Sequence, residues 1–131
     1  MLFRSSLAAI GLMRLAALTG EARWANHADR ILQLLDPVMR RASSAAGNAL
    51  AALHTRVAGM SELVIPGDVT GFAPAIRRGW FPNLVVAWGE TEANALWDGR
   101  TVGNAYVCRD RVCMTPARDP QELAAQLAQL R

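Results

Sequence analysis

The sequence predicts an α+β protein whose first half is helical and whose smaller second part combines short strands with helices. Before Gly59, apolar residues follow helical spacing, and the breaks fall at glycine or proline. After Gly59, short apolar runs are bounded by turn residues. With 131 residues, 52% hydrophobic and 19% charged, the chain matches one folded unit and is not disordered. Within it we expect a helical segment, residues 1–60, and a small α/β segment, residues 61–131.

The first two predicted helices form an antiparallel pair. Residues 7–18 are nearly all helix formers, and Gly20 lies where a left-handed C-cap belongs. A second helix opens at Glu21, with apolar residues at positions i, i+4, i+7 and i+11: Trp24, Ala28, Ile31 and Leu35. Because the connection is so short, the two helices are expected to form an αα-hairpin.

Asp36-Pro37 is predicted to end the second helix, since proline pushes the preceding residue out of the α region. A third helix is expected over residues 44–58, closed by Gly59. The first and third helices are apolar nearly all round, which is typical of helices buried on all sides. A chain of this size cannot bury both, so we expect something outside the sequence to cover them. Weak amphipathicity blurred by many alanines is the alternative.

The second part is predicted to contain a small, mainly parallel three-stranded sheet with flanking helices. Residues 63–65 and 84–88 are apolar on both faces, as in parallel strands, and residues 72–79 supply the crossover helix. A third strand is expected over residues 105–108, after a turn-rich stretch. A final helix is expected over residues 121–130.

One candidate ligand loop joins the first strand to the crossover helix. It contains Gly67, Asp68 and Gly71, at the position where α/β proteins bind phosphates. It lacks the glycine-rich nucleotide motifs and lysine, and Asp68 repels phosphate. A plain turn, or Asp68 capping the helix, is the alternative interpretation.

Cys108 and Cys113 are the candidate redox pair. They flank four residues in a predicted hairpin, where facing strand ends can bring their sulfurs within bonding distance. Three interpretations remain open: two small buried hydrophobic residues, a reversible disulfide, and metal ligation. A switch requires one partly exposed thiol, and Arg109 or Arg111 can lower its pKa.

Composition argues against several other classes. All fourteen basic residues are arginine, and they are spread along the chain rather than clustered, so we expect no nucleic-acid binding. The two cysteines fit no zinc-ligand spacing, and we expect no metal, no cofactor and no catalytic residue. Arg14 interrupts the apolar start and no cleavage site follows, so we expect a cytoplasmic chain without a membrane span.

Several segments carry a family resemblance. SLAAIGLMRLAALTGEARW, residues 6–24, resembles a late helical hairpin of an (α/α) toroid. LVIPGD, FPNLVVAW, LWDGR and AYVCRDRVCMTPARDPQELAAQL are similar, in order and spacing, to the C-terminal end of the spermatogenesis-associated, thioredoxin-domain-containing protein family. The resemblance covers nearly the whole chain, and YVC-x4-C followed by Asp-Pro and a short helix is its most specific part.

The resemblance implies a place in a larger protein. Members of that family carry a thioredoxin-like domain and then a six-hairpin toroid, similar to N-acylglucosamine 2-epimerases and six-hairpin glycosidases. The chain is then expected to be a non-catalytic structural and interaction segment whose partners are the toroid and thioredoxin-like domain of the parent chain. As an isolated fragment it is expected to self-associate. The alternative function is a small thiol redox switch that uses Cys108 and Cys113.

Overall fold

The computed structural model describes residues 2–90, 95–110 and 112–130. They fall into two compact units, Met1–Met60 and Ser61–Arg131. The described residues form five α-helices and a four-stranded mixed sheet, which confirms the α+β class. None of the helices in these ranges is both long and apolar enough to cross a membrane.

The first unit is built on a helical hairpin. Helix α1 spans Leu2–Thr19 and helix α2 spans Ala22–Arg41. Between them Gly20 has φ +72°, and its amide donates to the Ala16 carbonyl at 2.8 Å, so the predicted left-handed C-cap is confirmed. The two helices share an apolar cluster that buries Ala9, Met13, Ala28 and Leu32.

The prediction that the second helix ends before Pro37 is wrong. Proline inside a helix removes one intrahelical hydrogen bond, but α2 continues for four residues beyond it. Leu35 and Met39 are buried in one apolar cluster on either side of Pro37. Arg40 Nε also donates to both carboxylate oxygens of Asp36, at 2.9 and 2.8 Å. Packing across the proline therefore outweighs the local preference to stop.

A short 3-10 helix, Ser43–Ala45, leads into helix α3, Gly47–Ala58. The α-helix starts three residues later than predicted, and it ends at Gly59, φ +80°, as predicted. Arg56 of α3 donates from Nε and Nη2 to the Asp29 carboxylate of α2, at 2.5 and 3.0 Å. This bidentate ion pair ties the third helix to the hairpin.

The sheet of the second unit has the strand order β2-β1-β3-β4. Strand β1 spans Ser61–Pro66, β2 spans Leu84–Gly89, β3 spans Tyr106–Arg109 and β4 spans Val112–Cys113. β1 and β2 are parallel, with Leu63 opposite Val86, and helix α4, Ala73–Arg77, connects them. This confirms the predicted parallel pair and its crossover helix.

The predicted sheet is otherwise corrected in two respects. It has four strands instead of three, and it is not mainly parallel, because β3 runs antiparallel to both β1 and β4. A parallel third strand needs a crossover back to the other end of the sheet. Residues 95–99 form turns instead, so the chain re-enters beside β1 from the end at which β2 leaves. β4 is the short strand that the predicted cysteine hairpin adds.

β1 is buried on both faces of the sheet, with Leu63, Val64 and Ile65 all fully buried. One face packs on α4 and on helix α5, Pro120–Ala128, which supplies Leu123 and Leu127. The other face is smaller: Val64, Tyr106 and Cys108 pack there against Leu96 and Trp97. This smaller face carries the candidate site.

Candidate disulfide site

Cys108 and Cys113 are bonded to each other across the hairpin of β3 and β4. They are direct cross-strand partners with Cα atoms 3.9 Å apart, which confirms the prediction that the two cysteines face each other. The loop is tighter than the predicted four residues, because Arg109 and Val112 also pair. Asp110, at φ +51°, supplies the left-handed residue that a two-residue hairpin loop requires.

The two cysteines differ in exposure. Cys108 lies in the sheet and is only 3% exposed, whereas Cys113 lies on the edge strand and is exposed. In thiol–disulfide exchange the attacking thiolate must approach a sulfur directly. Cys113 is therefore the more accessible residue of the pair for an incoming thiol.

A guanidinium group contacts both sulfurs. Arg100 Nη2 is 3.1 Å from Cys108 Sγ and 3.2 Å from Cys113 Sγ. A fixed positive charge at this distance stabilises a thiolate. The sequence predicted that Arg109 or Arg111 would fill this role. Arg111 lies outside the described residues. Arg109 directly follows Cys108 in β3, so its side chain lies on the opposite face of the strand. Among the described residues, Arg100 is therefore the cation that contacts the two sulfurs.

The turn that carries Arg100 is anchored by Tyr106. The Arg100 amide donates to the Trp97 carbonyl at 3.2 Å, and its guanidinium lies 5.7 Å from the centre of the Tyr106 ring. The Thr101 amide donates to the Tyr106 hydroxyl at 2.9 Å, and Asn104 Nδ2 donates to Thr101 Oγ1 at 2.8 Å. Hydrogen bonds from Thr101 lower the pKa of Tyr106. Arg100 is thereby held in place by strand β3 itself.

Glu62 is the acidic member of the site. It lies on β1 directly opposite Cys108, and it is half-buried. Burial raises the pKa of Glu62 to about 7, the nearby Asp110 carboxylate adds to the rise, and Arg100 opposes it. A carboxyl group that titrates near neutral pH can donate or accept a proton under ordinary conditions.

The predicted ligand loop is a self-contained turn. Asp68 Oδ1 accepts from the Thr70 amide at 2.9 Å and from Thr70 Oγ1 at 2.6 Å, and these bonds lower the pKa of Asp68. Asp68 does not cap α4, because the N-cap of that helix is Phe72, four residues further along the chain. Gly67 has φ +83° and lies against Val102. Ligand binding by Gly67, Asp68 and Gly71 stays a prediction.

A separate apolar groove of about 230 Å3 lies on the other face of the parallel pair. Helix α4, strand β2 and the loop between β1 and α4 line it with Val69, Ala73, Ile76, Arg77, Val86 and Trp88. It includes neither cysteine nor the three residues of the predicted ligand loop. Among the described residues, no group of three or more His, Cys, Asp or Glu side chains is arranged to hold a metal ion.

Sequence reasoning missed Arg100 and Glu62. Glu62 carried one available signal: it is an acidic residue directly before the buried Leu63 to Ile65 run. No sequence signal beyond the turn-rich WDGR segment pointed to Arg100, since its contact with the sulfurs depends on how the turn folds over β3.

Comparison of the chain with protein-family models, curated proteins and solved structures finds no match. The family resemblance seen in the sequence therefore stays a prediction.

Proposed function

We propose that the second unit is a thiol–disulfide switch in which Cys108 and Cys113 alternate between disulfide and dithiol. One observation carries the proposal: the paired cysteines share a guanidinium group, and one of the two residues is exposed while the other is buried. A disulfide that serves packing alone requires neither an accessible sulfur nor a cation.

The reductant is a small thiol or a dithiol. Its thiolate attacks Cys113 Sγ, the bond between the two cysteine sulfurs breaks, and the electron pair goes to Cys108 Sγ. A second thiolate then attacks the reductant's sulfur in the mixed disulfide and releases Cys113 as a thiolate. Two thiols are oxidised to one external disulfide, and the protein disulfide is reduced to a dithiol. Arg100 stabilises each thiolate as it forms.

Reduction is expected to loosen the edge of the sheet. β4 has two residues, and its neighbour in the sheet is β3. Beyond the disulfide, the Met114 amide still donates to the Val107 carbonyl at 2.9 Å. The structural consequence of switching is therefore local to the hairpin. We propose a cytoplasmic location, where thiol reductants are abundant and the pair is mainly reduced.

A redox titration tests the switch. The protein is equilibrated in graded mixtures of a reduced and an oxidised thiol, alkylated under acid quench and weighed by mass spectrometry. The proposal predicts a reversible two-electron transition between the disulfide and dithiol masses. A pair that stays oxidised in excess reductant, or one that never forms the disulfide in oxidant, contradicts the proposal. The Cys108→Ser, Cys113→Ser double variant supplies the baseline.

A second candidate function concerns the first unit, and exposed apolar side chains support it. Phe3 and Leu7 of α1 are 57% and 48% exposed, and Leu50 and Leu53 of α3 are 38% and 37% exposed. Contiguous apolar patches larger than a few hundred Å2 are rare on stable monomers, and they mark interaction sites. We propose that this unit is a non-catalytic interaction segment that packs on the toroid and thioredoxin-like domain of a parent chain.

Light scattering tests the second candidate. The chain alone is expected to self-associate through these side chains, and Leu7→Glu is expected to shift the population toward the monomer. Arg30→Glu, at an exposed position of the same unit, is the matched control and leaves association unchanged. A monomeric wild-type chain at high concentration contradicts this candidate.

A further inference from the structure

An acidic residue occupies the central strand of the sheet beside the disulfide. Glu62 pairs with Val85 of β2 on one side and with Cys108 of β3 on the other, and Cys108 pairs with Cys113. Directly paired residues place their side chains on the same face, with Cβ atoms roughly 5 Å apart. The side chains of Glu62 and Cys108 thus lie next to each other on the smaller face of the sheet.

Among the described residues, the charges that shift the pKa of Glu62 come from two elements. Arg100, in the turn over β3, lies close enough to oppose the rise in its pKa, and Asp110, in the hairpin loop, adds to the rise. Burial lowers the pKa of Arg100, and the charges of Asp98 and Tyr106 act in the opposite direction. The partner on β2 is the uncharged Val85. Arg100 Nε is buried and has no hydrogen-bond partner among the described residues, so the cation keeps an unused donor.

We infer that Glu62 is the proton donor to Cys108 when the disulfide is reduced and the proton acceptor from Cys108 when it re-forms. This inference rests on the proposed switch. It follows from the cross-strand pairing of the two residues, from the burial of Cys108, and from the shared cation. Cys108 is only 3% exposed, so solvent has little access to it, and the paired Glu62 is the neighbouring group placed to exchange a proton with it.

The proton balance is closed in both directions. On reduction the external thiolate bonds to Cys113 Sγ, the electron pair of the broken bond goes to Cys108 Sγ, and Glu62 transfers its proton there. The resulting carboxylate is stabilised by Arg100 and takes a new proton from solvent. On oxidation by an external disulfide, the Cys113 thiolate attacks one sulfur of that disulfide, forms the mixed disulfide and releases the other sulfur as a thiolate. The Glu62 carboxylate then removes the Cys108 proton, and Cys108 attacks Cys113 Sγ and expels the external thiolate.

The protonation state of Glu62 sets the direction in which pH changes the rate of reduction. Glu62 donates only when protonated, so its contribution to reduction is present below about pH 7 and is lost above it. The thiolate fraction of the reductant also changes with pH. It cancels when the wild-type rate is divided by the rate of a variant measured under the same conditions.

The test is the rate of reduction by a small monothiol from about pH 5.5 to 8.5, in the wild type and in Glu62→Gln. The amide cannot transfer the proton, so the ratio of wild-type to variant rate is expected to be roughly tenfold or more at low pH. It is expected to fall toward one above pH 7, the region in which Glu62 titrates. Asp110→Asn keeps a residue that tolerates positive φ and removes the adjacent charge. When the rate of Asp110→Asn is divided by that of Glu62→Gln at each pH, the fall of the ratio is expected to occur at lower pH than in the wild type.

Glu90→Gln, at an exposed position after β2 on the opposite edge of the sheet, is the matched control and follows the wild type. A ratio of one at every pH overturns the inference, and so does a constant ratio without a pH step, which marks a structural role. If Glu62→Gln does not fold, the rate of Asp110→Asn is divided by that of the wild type at each pH, and a ratio that does not change with pH overturns the inference. The redox titration of the wild type separates these results from failure of the switch itself.

Discussion

Arg100 lies eight residues before Cys108 in the chain, yet its Nη2 is 3.1 Å from the Cys108 sulfur. The turn over β3 creates this contact, and Tyr106 and Thr101 hold the turn in place. The same nitrogen is 3.2 Å from Cys113 Sγ. One guanidinium group can thus stabilise the negative charge on either sulfur.

Arg100→Gln is expected to raise the pKa of the Cys113 thiol in the reduced protein by about one unit, because a close opposite charge favours the thiolate. The pH dependence of Cys113 alkylation measures it. Arg78→Gln, at an exposed position of the same unit, is the control and leaves the alkylation profile unchanged. Identical profiles for the wild type and Arg100→Gln contradict the role given to Arg100.

The fold of this site shows where sequence reasoning works. β1 was predictable because a strand buried on both faces is apolar throughout, and β2, although it is an edge strand with Trp88 exposed, shares that apolar pattern. The facing of Cys108 and Cys113 follows from hairpin spacing. Continuation of α2 through Pro37 was not predictable from local propensity, because the buried cluster of Leu35 and Met39 decides it. The direction of β3 was missed because residues 95–99 form turns rather than a crossover helix.

The candidate site was predictable only in part. The cysteine spacing indicates a pair, but no sequence spacing relates Glu62 to Arg100, which lies in a later turn. The two meet because β3 inserts next to β1, a tertiary pairing that local pattern does not encode. The positive charge near the thiols was expected from Arg109 or Arg111, adjacent in sequence, whereas strand alternation turns Arg109 away from Cys108.

Gly67→Ala is expected to destabilise the second unit by roughly 1–2 kcal/mol. Gly67 has φ +83°, and an added Cβ would lie 3.0 Å from Val102 Cγ1. Gly71→Ala is the matched control in the same loop, because nothing lies within 4 Å of its added Cβ, and it is expected to stay within about 0.5 kcal/mol of wild type. Urea unfolding measures both, and equal costs contradict the account.

The ion pair between Asp29 and Arg56 makes the first unit sensitive to acid. The hydrogen bond from Arg56 lowers the pKa of Asp29 below its ordinary value of 3.8. A lowered pKa in the folded state contributes stability above pH 3.8, and this contribution is lost as pH falls through the folded pKa. Asp29→Asn is therefore expected to cost about 0.5–1 kcal/mol at neutral pH.

Urea unfolding at neutral and at strongly acid pH checks this expectation. The difference between wild type and Asp29→Asn should shrink toward zero in acid, where the carboxylate is protonated in both states. Asp36→Asn, which breaks the more exposed pair with Arg40, is the control with a smaller expected cost. A difference that is the same at both pH values contradicts the assignment to the ion pair.

The melting temperature in oxidant and in reductant tests the central claim most directly, with the wild type compared against the Cys108→Ser, Cys113→Ser double variant. The disulfide closes a loop with a sequence separation of 5, and a loop of that length is expected to contribute about 2 kcal/mol. The account predicts that reductant lowers the wild-type Tm by roughly 10 °C. The double variant is predicted to melt at one temperature in both conditions, close to that of the reduced wild type. A wild-type Tm that is the same in oxidant and in reductant would contradict the switch.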